Sequence, residues 1–564
     1  MHVIPITSDT VIRDAESHFK VSAGPGAGKT HWLANHIKNV LCQSVRLYSA
    51  RKIGCITYTN IAVETIVRRL AGANQVEVTT IHSFLYNHIV KPYVSFIASK
   101  YSLNVSDMNG HDDFILSGYS FLTEWKNRTG QQRIRDDKII IKAFKNLKWK
   151  FDNGELMPKT DYPFKADGYP IKKDSYFEYK KMTWEKGIVH HDDVLFFSYQ
   201  IVKDFPFVAT VLNAKFPYLF IDEFQDSNPI QIEILKMLSA GCVIGVVGDV
   251  VQSIYGFQGA DYSQFIDFTL SGMKTYLLSE NRRSSNEIID VLNSIRKDLT
   301  QTKYRNISNE KPTIYIGDMI LALRDAKNKV TPEKIYTLSR DNITSNAMKA
   351  EINGVGINSM LLENLKEIDS NVIRSGLMYA CIRAVVLARA NKFKEAIKEL
   401  EYYFNYKTDK IKGRRKAINY ISFLLENYNI YKNRSLKEFS EIVRNGLDLT
   451  ITKVSSGAVK TFYENNPFYH LQMCVSVPDD VSLHKTIHKA KGDEFNNILL
   501  VLKQESDLDF LLNPDLLSKT ERSEEHRINY VAISRAKNRL FISVPSLNNT
   551  YRVALQQYFC FKDA

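Results

Sequence analysis

The fold is decided by residues 19–30, which read FKVSAGPGAGKT. The first five residues form an apolar run of strand length, and a glycine-rich turn separates them from a helical pattern that begins at Lys29. Glycines let backbone N–H groups wrap around phosphate oxygens, and the helix N-terminus adds positive potential. Lys29 would reach the β- and γ-phosphates, and the Thr30 hydroxyl would ligate Mg²⁺. The predicted phosphate loop therefore consists of Gly24, Gly26, Ala27, Gly28, Lys29 and Thr30.

A second apolar run, followed by carboxylates, lies at 218–226 and reads YLFIDEFQD. A phosphate loop of this kind needs an acidic partner on a neighbouring strand. We expect Asp222 to hold Mg²⁺ through water and Glu223 to orient and activate the attacking water. The alternative is an ordinary strand end that happens to carry acidic residues. The residues FQD at 224–226 make this alternative much weaker.

Further short apolar runs lie at 53–58, 243–249, 497–502 and 540–544. Unbroken apolar runs are typical of parallel strands that are buried on both faces of a sheet. The runs fall into two groups, one before residue 250 and one near the end of the chain, with long stretches of different composition between them. The pattern predicts an α/β fold with two parallel-sheet cores, each of which carries a mostly helical insertion.

Composition narrows the class of protein. The chain has 564 residues and 44% hydrophobic side chains, which excludes a disordered chain. Its formal net charge of +13 favours a polyanionic partner only about as much as it favours a plain basic surface. The six scattered cysteines lack the CxxC spacing of zinc and iron–sulfur sites. There is no secretory leader and no long apolar run, so we expect a cytoplasmic protein without a membrane partner.

Eight short motifs follow one another along the chain, and the ordered set is far more specific than any one of them. They are AGPGAGKT at 23–30, TYTN at 57–60, TIHSF at 80–84, IDEFQD at 221–226, GDVVQSIYGFQGA at 248–260, SENRRS at 279–284, TIHKAKGDEF at 486–495 and NYVAISRAKNRLF at 529–541. Together they resemble the UvrD/Rep/PcrA-like superfamily 1A DNA helicases. The resemblance implies two RecA-like P-loop domains and ATP-driven 3′→5′ movement on single-stranded DNA, with ATP and Mg²⁺ as cofactors.

The resemblance also implies domain boundaries. Domain 1A would comprise 1–95 and 195–285, with insertion 1B at 96–194. Domain 2A would comprise 286–375 and 470–564, with a short insertion 2B at 376–469. Basic stretches at 126–150 and 383–416 lie in or overlap the two insertions and would extend a DNA track, or they are solvated helix faces.

Site roles are carried over from the family by position. Gln252 would contact the γ-phosphate, Arg283 and Arg535 would be arginine fingers from different cores, and Glu494 would lie near the ribose or the metal water. Single-stranded DNA would stack on aromatic rings, because every base has a π-face. The residues that match DNA-side positions are Thr57, Tyr58, Thr59, Asn60, His82, Tyr255, Phe257 and His488.

Several positions depart from the family pattern. No glutamine precedes the phosphate loop, since the first one is Gln43, and the family uses such a glutamine to recognise adenine. Arg282 occupies the place of a base-stacking tyrosine, Phe257 replaces a tryptophan and Gln258 replaces an arginine. We therefore expect hydrolysis to be less selective for ATP than in typical members.

Two classes of function stay open on the sequence. The first is a helicase that acts on single-stranded or tailed double-stranded DNA in repair, recombination or antiphage defence. The chain has no residue block for a nuclease domain and resembles the helicase subunit of Gabija-type antiphage systems, which acts beside a Toprim/OLD-like nuclease. The second is a DNA-sensing NTPase subunit that regulates such a nuclease without processive unwinding. A kinase-like P-loop enzyme would not explain the ordered aromatic residues.

Overall fold

The structure is a computed structural model that describes residues 3–110, 115, 119–160, 165–166, 169–256, 259, 262–352, 356–401, 403, 410–446, 451–478, 481–517 and 523–564. The chain divides into two compact units. The first comprises Met1–Arg283, Arg296–Asn306 and Leu517–Arg527. The second comprises Ser284–Ile295, Ile307–Leu516 and Ile528–Ala564.

The first unit is built on a seven-stranded parallel sheet. The strands of the whole unit are β1 (Val3–Ile6), β2 (Phe19–Ala23), β3 (Ile53–Thr57), β4 (Val76–Thr80), β5 (Lys148–Asp152), β6 (Glu155–Lys159), β7 (Lys165–Ala166), β8 (Tyr169–Pro170), β9 (Tyr218–Ile221), β10 (Val243–Gly248), β11 (Lys274–Leu278), β12 (Glu280–Asn281) and β13 (Thr302–Lys303). The large sheet has the spatial order β1-β11-β2-β10-β9-β3-β4, and β3, β9 and β10 are buried along their whole length. This order brings the carboxyl ends of β2, β9 and β10 to one edge, where parallel sheets place their ligand sites.

Helices follow most of these strands. Those of the first unit are α1 (Lys29–Gln43), α2 (Asn60–Arg69), α3 (Ile81–Leu85), α4 (Lys91–Tyr93), α5 (Ala98–Tyr101), α6 (Tyr119–Thr129), α7 (Asp137–Lys145), α8 (Asp174–Glu185), α9 (Asp193–Asp204), α10 (Phe207–Lys215), α11 (Pro229–Leu238) and α12 (Tyr262–Asp267). Strands β5–β8 form two antiparallel pairs within the range predicted for insertion 1B, so this range contains short hairpins beside its helices.

The second unit holds a six-stranded parallel sheet of order β16-β15-β17-β18-β14-β19. Its strands are β14 (Thr313–Ile316), β15 (Ile335–Ser339), β16 (His484–Thr486), β17 (Phe495–Val501), β18 (Ala536–Val544) and β19 (Cys560–Asp563). Its helices are α13 (Asn286–Ile295), α14 (Met319–Val330), α15 (Asn342–Ala350), α16 (Leu361–Ile368), α17 (Val372–Arg389), α18 (Phe393–Glu401), α19 (Lys410–Glu426), α20 (Tyr428–Tyr431), α21 (Leu436–Gly446), α22 (Gly457–Asn465), α23 (Phe468–Met473), α24 (Asp509–Leu512), α25 (Ser523–Ile533) and α26 (Asn549–Leu555). The first residues of α25, as far as Arg527, belong to the first unit.

The predicted fold class is confirmed, because each unit contains one large parallel sheet. A separate all-helical core extends from Leu361 to Val477 in the second unit and so reaches past both predicted ends of insertion 2B. The boundaries predicted for 1A, 1B, 2A and 2B stay predictions.

A buried charged cluster fixes the segment that precedes α9. Asp193 is fully buried, and its carboxylate accepts hydrogen bonds from the indole nitrogens of Trp149 (2.9 Å) and Trp184 (3.0 Å). The Lys180 Nζ atom lies 2.8 Å from the same carboxylate. Burial opposes ionisation of Asp193, but the charge of Lys180 and the neighbouring His190 hold its pKa well below the usual range. The cluster thereby sets the position of His191 and Asp192, which are the residues just before it.

No single helix among the described residues has the length and apolar composition to cross a bilayer. Among these helices, only the bent pair α9 and α10 meets both conditions, and it does so only when the two helices are joined.

Candidate nucleotide and nucleic-acid site

The phosphate loop connects β2 to α1 as the sequence predicts. Gly26 and Gly28 have φ angles of 70° and 80°, which lie in the left-handed region that favours glycine. A side chain at Gly26 would also meet the Asn281 Oδ1 atom at 2.6 Å. The Trp32 N–H donates to the Gly28 carbonyl (2.8 Å) and closes the first turn of α1. The glycines therefore shape the loop, and the N-terminus of α1 provides a binding site for an anion such as phosphate.

Two predicted metal ligands meet beside this loop. The Thr30 hydroxyl donates to Asp222 Oδ2 at 3.1 Å, and Lys29 Nζ lies 3.9 Å from Glu223 Oε2. Burial, with the charge of Glu223 next to it, raises the pKa of Asp222 to about 7. A hydroxyl and a buried carboxylate are hard oxygen donors of the kind that Mg²⁺ takes, so these residues fit the ion.

Glu223 has an unusual backbone conformation. Its φ of 53° is left-handed, which costs a non-glycine residue roughly 1–3 kcal/mol and is concentrated at functional sites. The Gln225 amide donates to Glu223 Oε2 at 2.6 Å and holds the carboxylate in place. The strained turn thus aims Glu223 in a fixed direction.

A chain of hydrogen bonds runs from Glu223 to Gln252. Gln225 lies in the middle of this chain, because the oxygen of its side-chain amide also accepts a hydrogen bond from the Asp249 N–H at 3.0 Å. The Asp249 carboxylate then accepts from the Gln252 amide (2.6 Å) and from Arg296 (2.7 Å). Sequence reasoning singled out Gln252 but missed Gln225, Asp249 and Arg296. Gln225 and Asp249 lie inside two of the eight motifs, and this position is the sequence signal that could have identified them.

The two arginines at the end of motif SENRRS lie against the phosphate loop. The Arg282 N–H donates to the Gly26 carbonyl at 3.0 Å. The Arg283 N–H donates to Asn281 Oδ1 at 2.9 Å, and its Cβ would lie 2.7 Å from a Cβ placed on Gly26. Arg283 is thus in the same unit as Lys29 and lies against Gly26 of the phosphate loop, and its role as a finger stays a prediction.

Three predicted site residues belong to the second unit. Arg535 is buried, and its guanidinium donates to the Val531 carbonyl at 3.2 Å. Glu494 pairs with Lys537 at 3.0 Å, and His488 lies half-buried in a 3₁₀ turn. Their predicted contacts with phosphate, ribose or DNA stay predictions.

A cavity of about 640 Å³ lies at the ends of β3 and β4 in the first unit. It is lined by four predicted DNA-side residues, Tyr58, Thr59, Asn60 and His82. The Tyr58 hydroxyl is hydrogen-bonded to both Ser227 Oγ (2.6 Å) and Gln231 Oε1 (2.8 Å), and these bonds fix the far end of the ring. Thr59 Oγ1 accepts from the Ala62 N–H and caps α2. We call this cavity the groove.

Two other DNA-side predictions have different outcomes. Thr57 is fully buried in β3, where all five residues of the strand are buried, and its predicted role near the DNA backbone or on the coupling path stays a prediction. Phe257 and Gln258 lie outside the described residues. Tyr255 is half-buried, and burial, with the charges of Asp226 and Glu223 nearby, raises the pKa of its hydroxyl.

Sequence reasoning missed the opposite wall of the groove, which includes Lys148, His191 and Asp192. The rings of His82 and His191 stack with centroids 3.8 Å apart and planes at 28°. The donor atoms of His82, His191 and Asp192 all lie within 4.8 Å of one another. Burial lowers the pKa of His82 to about 4, and it is neutral at pH 7.

Two cations of the basic stretch at 126–150 form ion pairs inside their own unit. Arg128 pairs with Glu124 (2.6 Å), Glu178 (3.1 Å) and Glu185 (2.9 Å), and Lys126 pairs with Asp137. Lys148 is the residue of this stretch that lines the groove, and a wider DNA track along the stretch stays a prediction.

The loop, the helix α1 and the carboxylates after β9 define a P-loop protein on RecA-like parallel sheets. Comparison with known proteins gives the family. The family model for the UvrD/REP helicase N-terminal domain matches residues 7–271, and that for the UvrD-like helicase C-terminal domain matches residues 273–546. The chain belongs to the UvrD/Rep/PcrA-like helicases.

Individual relatives agree with this assignment. The ATP-dependent DNA helicase PcrA of Bacillus subtilis (strain 168) is 23% identical, and the match covers 96% of this chain and 82% of the relative. The protein of the same name from Staphylococcus aureus (strain Mu50 / ATCC 700699) is 24% identical over 94% of this chain and 82% of its own length.

Proposed function

We propose that this helicase hydrolyses ATP with Mg²⁺, moves 3′→5′ along single-stranded DNA and unwinds tailed duplexes. The observation that carries the proposal is the hydrogen-bonded chain from Glu223 through Gln225 and Asp249 to Gln252. It ties the carboxylate that would act on water to the segment that holds Tyr255, which is the segment we assign to DNA. The names of the relatives support ATP and DNA as the nucleotide and the track.

The residues divide the chemistry between them. Thr30 and Asp222 would hold Mg²⁺, which supplies charge neutralisation at the phosphates. Glu223 would orient the attacking water and accept its proton as the bond between the γ-phosphorus and the departing nucleoside diphosphate breaks. Lys29 and Arg283 stabilise the charge on the transferring phosphoryl group. Arg535 is assigned as the second finger on the resemblance alone.

The setting is also part of the proposal. A cytoplasmic role in repair, recombination or antiphage defence, beside a separate Toprim/OLD-like nuclease, rests on the family resemblance. The sensor alternative shares the whole nucleotide site and differs only in lacking processive unwinding.

Tyr255 provides the test on the DNA side. In Tyr255→Ala, we expect the DNA concentration that half-maximally stimulates hydrolysis to rise about five- to a hundredfold, because one stacking ring is worth roughly 1–3 kcal/mol. Hydrolysis without DNA should not change. The measurement is steady-state hydrolysis against the concentration of a single-stranded oligonucleotide.

Tyr255→Phe is the matched control, since it keeps the ring and removes the buried hydroxyl. Unchanged stimulation of a folded Tyr255→Ala protein would contradict the DNA assignment. A lower melting temperature with normal stimulation would show that the ring serves packing.

A further inference from the structure

Three side chains of the kind that ligate metals meet where the two walls of the groove face each other. His82 is the second residue of α3, and His191 and Asp192 come just before α9. Their donor atoms lie within 4.8 Å of one another, and His191 Nδ1 is 3.8 Å from Asp192 Oδ1. Ligand atoms around a tetrahedral zinc ion, at 2.0–2.2 Å from the metal, lie about 3.3–3.6 Å apart. The cluster therefore has to contract by only about 1 Å to hold one ion.

His82 has a buried nitrogen without a partner. Its Nε2 atom is buried and makes no hydrogen bond to any of the described residues. Buried polar atoms are nearly always paired, and leaving one unpaired is costly, so each such atom requires an explanation. The stacked ring of His191 does not satisfy this atom, because stacking uses the face of a ring and not its in-plane lone pair. A metal ion held by the cluster would supply the missing partner.

The surroundings fix the two segments but let one ring move. The Asp193 carboxylate accepts from the His190 N–H at 3.0 Å and anchors the segment before α9. Thr80 Oγ1 accepts from the Ser83 N–H at 3.4 Å and caps α3. The His191 side chain is 68% exposed, and the torsion that turns a histidine ring has a broad range. The ring of His191 can therefore turn from its stacked position towards an ion shared with His82.

We propose that His82, His191 and Asp192 together bind one divalent transition-metal ion, for which zinc is the best match. Imidazole nitrogens favour zinc and its neighbours in the first transition row, whereas Mg²⁺ and Ca²⁺ prefer oxygen ligands. Three protein ligands leave a fourth position for water. The bound ion would tie α3 to the segment before α9 and so clamp the two walls of the groove. The site needs neither nucleotide nor DNA and thus goes beyond the proposed function.

The experiment titrates the whole chain, freed of metal with a chelator, with Co²⁺ in the absence of Mg²⁺, nucleotide and DNA. The visible absorption of bound Co²⁺ reports a four- or five-coordinate site with nitrogen ligands. We expect one Co²⁺ per chain and its displacement by one equivalent of Zn²⁺, which binds such sites more tightly. Zn²⁺ should also raise the melting temperature, because it binds the folded protein.

His191→Ala and Asp192→Asn are the test variants. Each should lower the affinity for Co²⁺ at least about tenfold and remove the effect of Zn²⁺ on the melting temperature. Both side chains are exposed, at 68% and 45%, so the variants should melt like the wild type without metal. His470→Ala is the matched control, because His470 is a half-buried histidine of α23 in the second unit. Asp222→Asn separates this site from the predicted Mg²⁺ site, and both controls should bind Co²⁺ like the wild type.

Three outcomes would overturn the inference. They are the absence of a Co²⁺ spectrum in the wild type, equal affinity in the wild type and both test variants, and an equal loss in His470→Ala or Asp222→Asn. None of these results bears on ATP hydrolysis, which is measured with Mg²⁺ alone. Failure of the metal site therefore leaves the proposed function standing, and loss of DNA-stimulated hydrolysis in the wild type would leave the metal site standing.

Discussion

Replacement of Lys29 by alanine is expected to lower DNA-stimulated ATP hydrolysis at least about a hundredfold, which is the usual loss when one preorganised charge donor is removed. Lys29 is buried, and its Nζ lies 3.9 Å from Glu223. Its charge also opposes the rise in the pKa of Asp222. Without it, Asp222 and Glu223 face each other and the phosphates with no lysine cation beside them. The loss therefore falls on both phosphate binding and metal binding.

Lys38→Ala is the matched control for this change. Lys38 is exposed and lies on the same helix α1, so its loss removes an equal charge without touching the loop. Steady-state hydrolysis should be normal in Lys38→Ala and nearly absent in Lys29→Ala. Wild-type turnover in Lys29→Ala would contradict the phosphate assignment.

The second large effect concerns stability. Asp193→Asn is expected to lower the free energy of unfolding of the first unit by about 3–5 kcal/mol, which is the usual cost of leaving one member of a buried ion pair without its partner. Lys180 would be the uncompensated charge, since it is itself buried. Urea titration followed by tryptophan fluorescence suits this site, because Trp149 and Trp184 both donate to Asp193.

The same cluster predicts a pH dependence. The pKa of Asp193 is lower in the folded protein than in the unfolded chain. Its contribution is therefore present above the unfolded pKa and is lost as the pH falls toward the folded one. Asp174→Asn, an exposed change on the neighbouring helix α8, serves as the control. Equal urea midpoints for Asp193→Asn and wild type would show that the cluster does not stabilise the unit.

Much of the nucleotide site could be predicted from sequence because its signals are local. Strand, loop and helix are contiguous around Lys29, and Asp222 directly follows an apolar strand. The chain through Gln225 and Asp249 could not be predicted in the same way. It depends on the pairing of β9 with β10, and the sequence of neither segment indicates which strands become neighbours in a sheet.

The features that sequence could not predict have the same physical origin. The DNA role predicted for Thr57 rests on its motif, which does not reveal that β3 is an inner strand with both faces buried. His191 carries no local pattern at all. It lines the groove because the fold brings residues that are distant in the chain together in the first unit.

The central claim is that nucleotide hydrolysis drives 3′→5′ movement on DNA. The most direct measurement is strand displacement, with Mg²⁺ and ATP, on three duplexes that differ only in having a 3′ single-stranded tail, a 5′ tail or a fork. We predict displacement of the 3′-tailed and forked substrates, none of the 5′-tailed one, and none by Lys29→Ala. Hydrolysis that DNA stimulates without displacement of any substrate, or displacement that requires a 5′ tail, would contradict the claim.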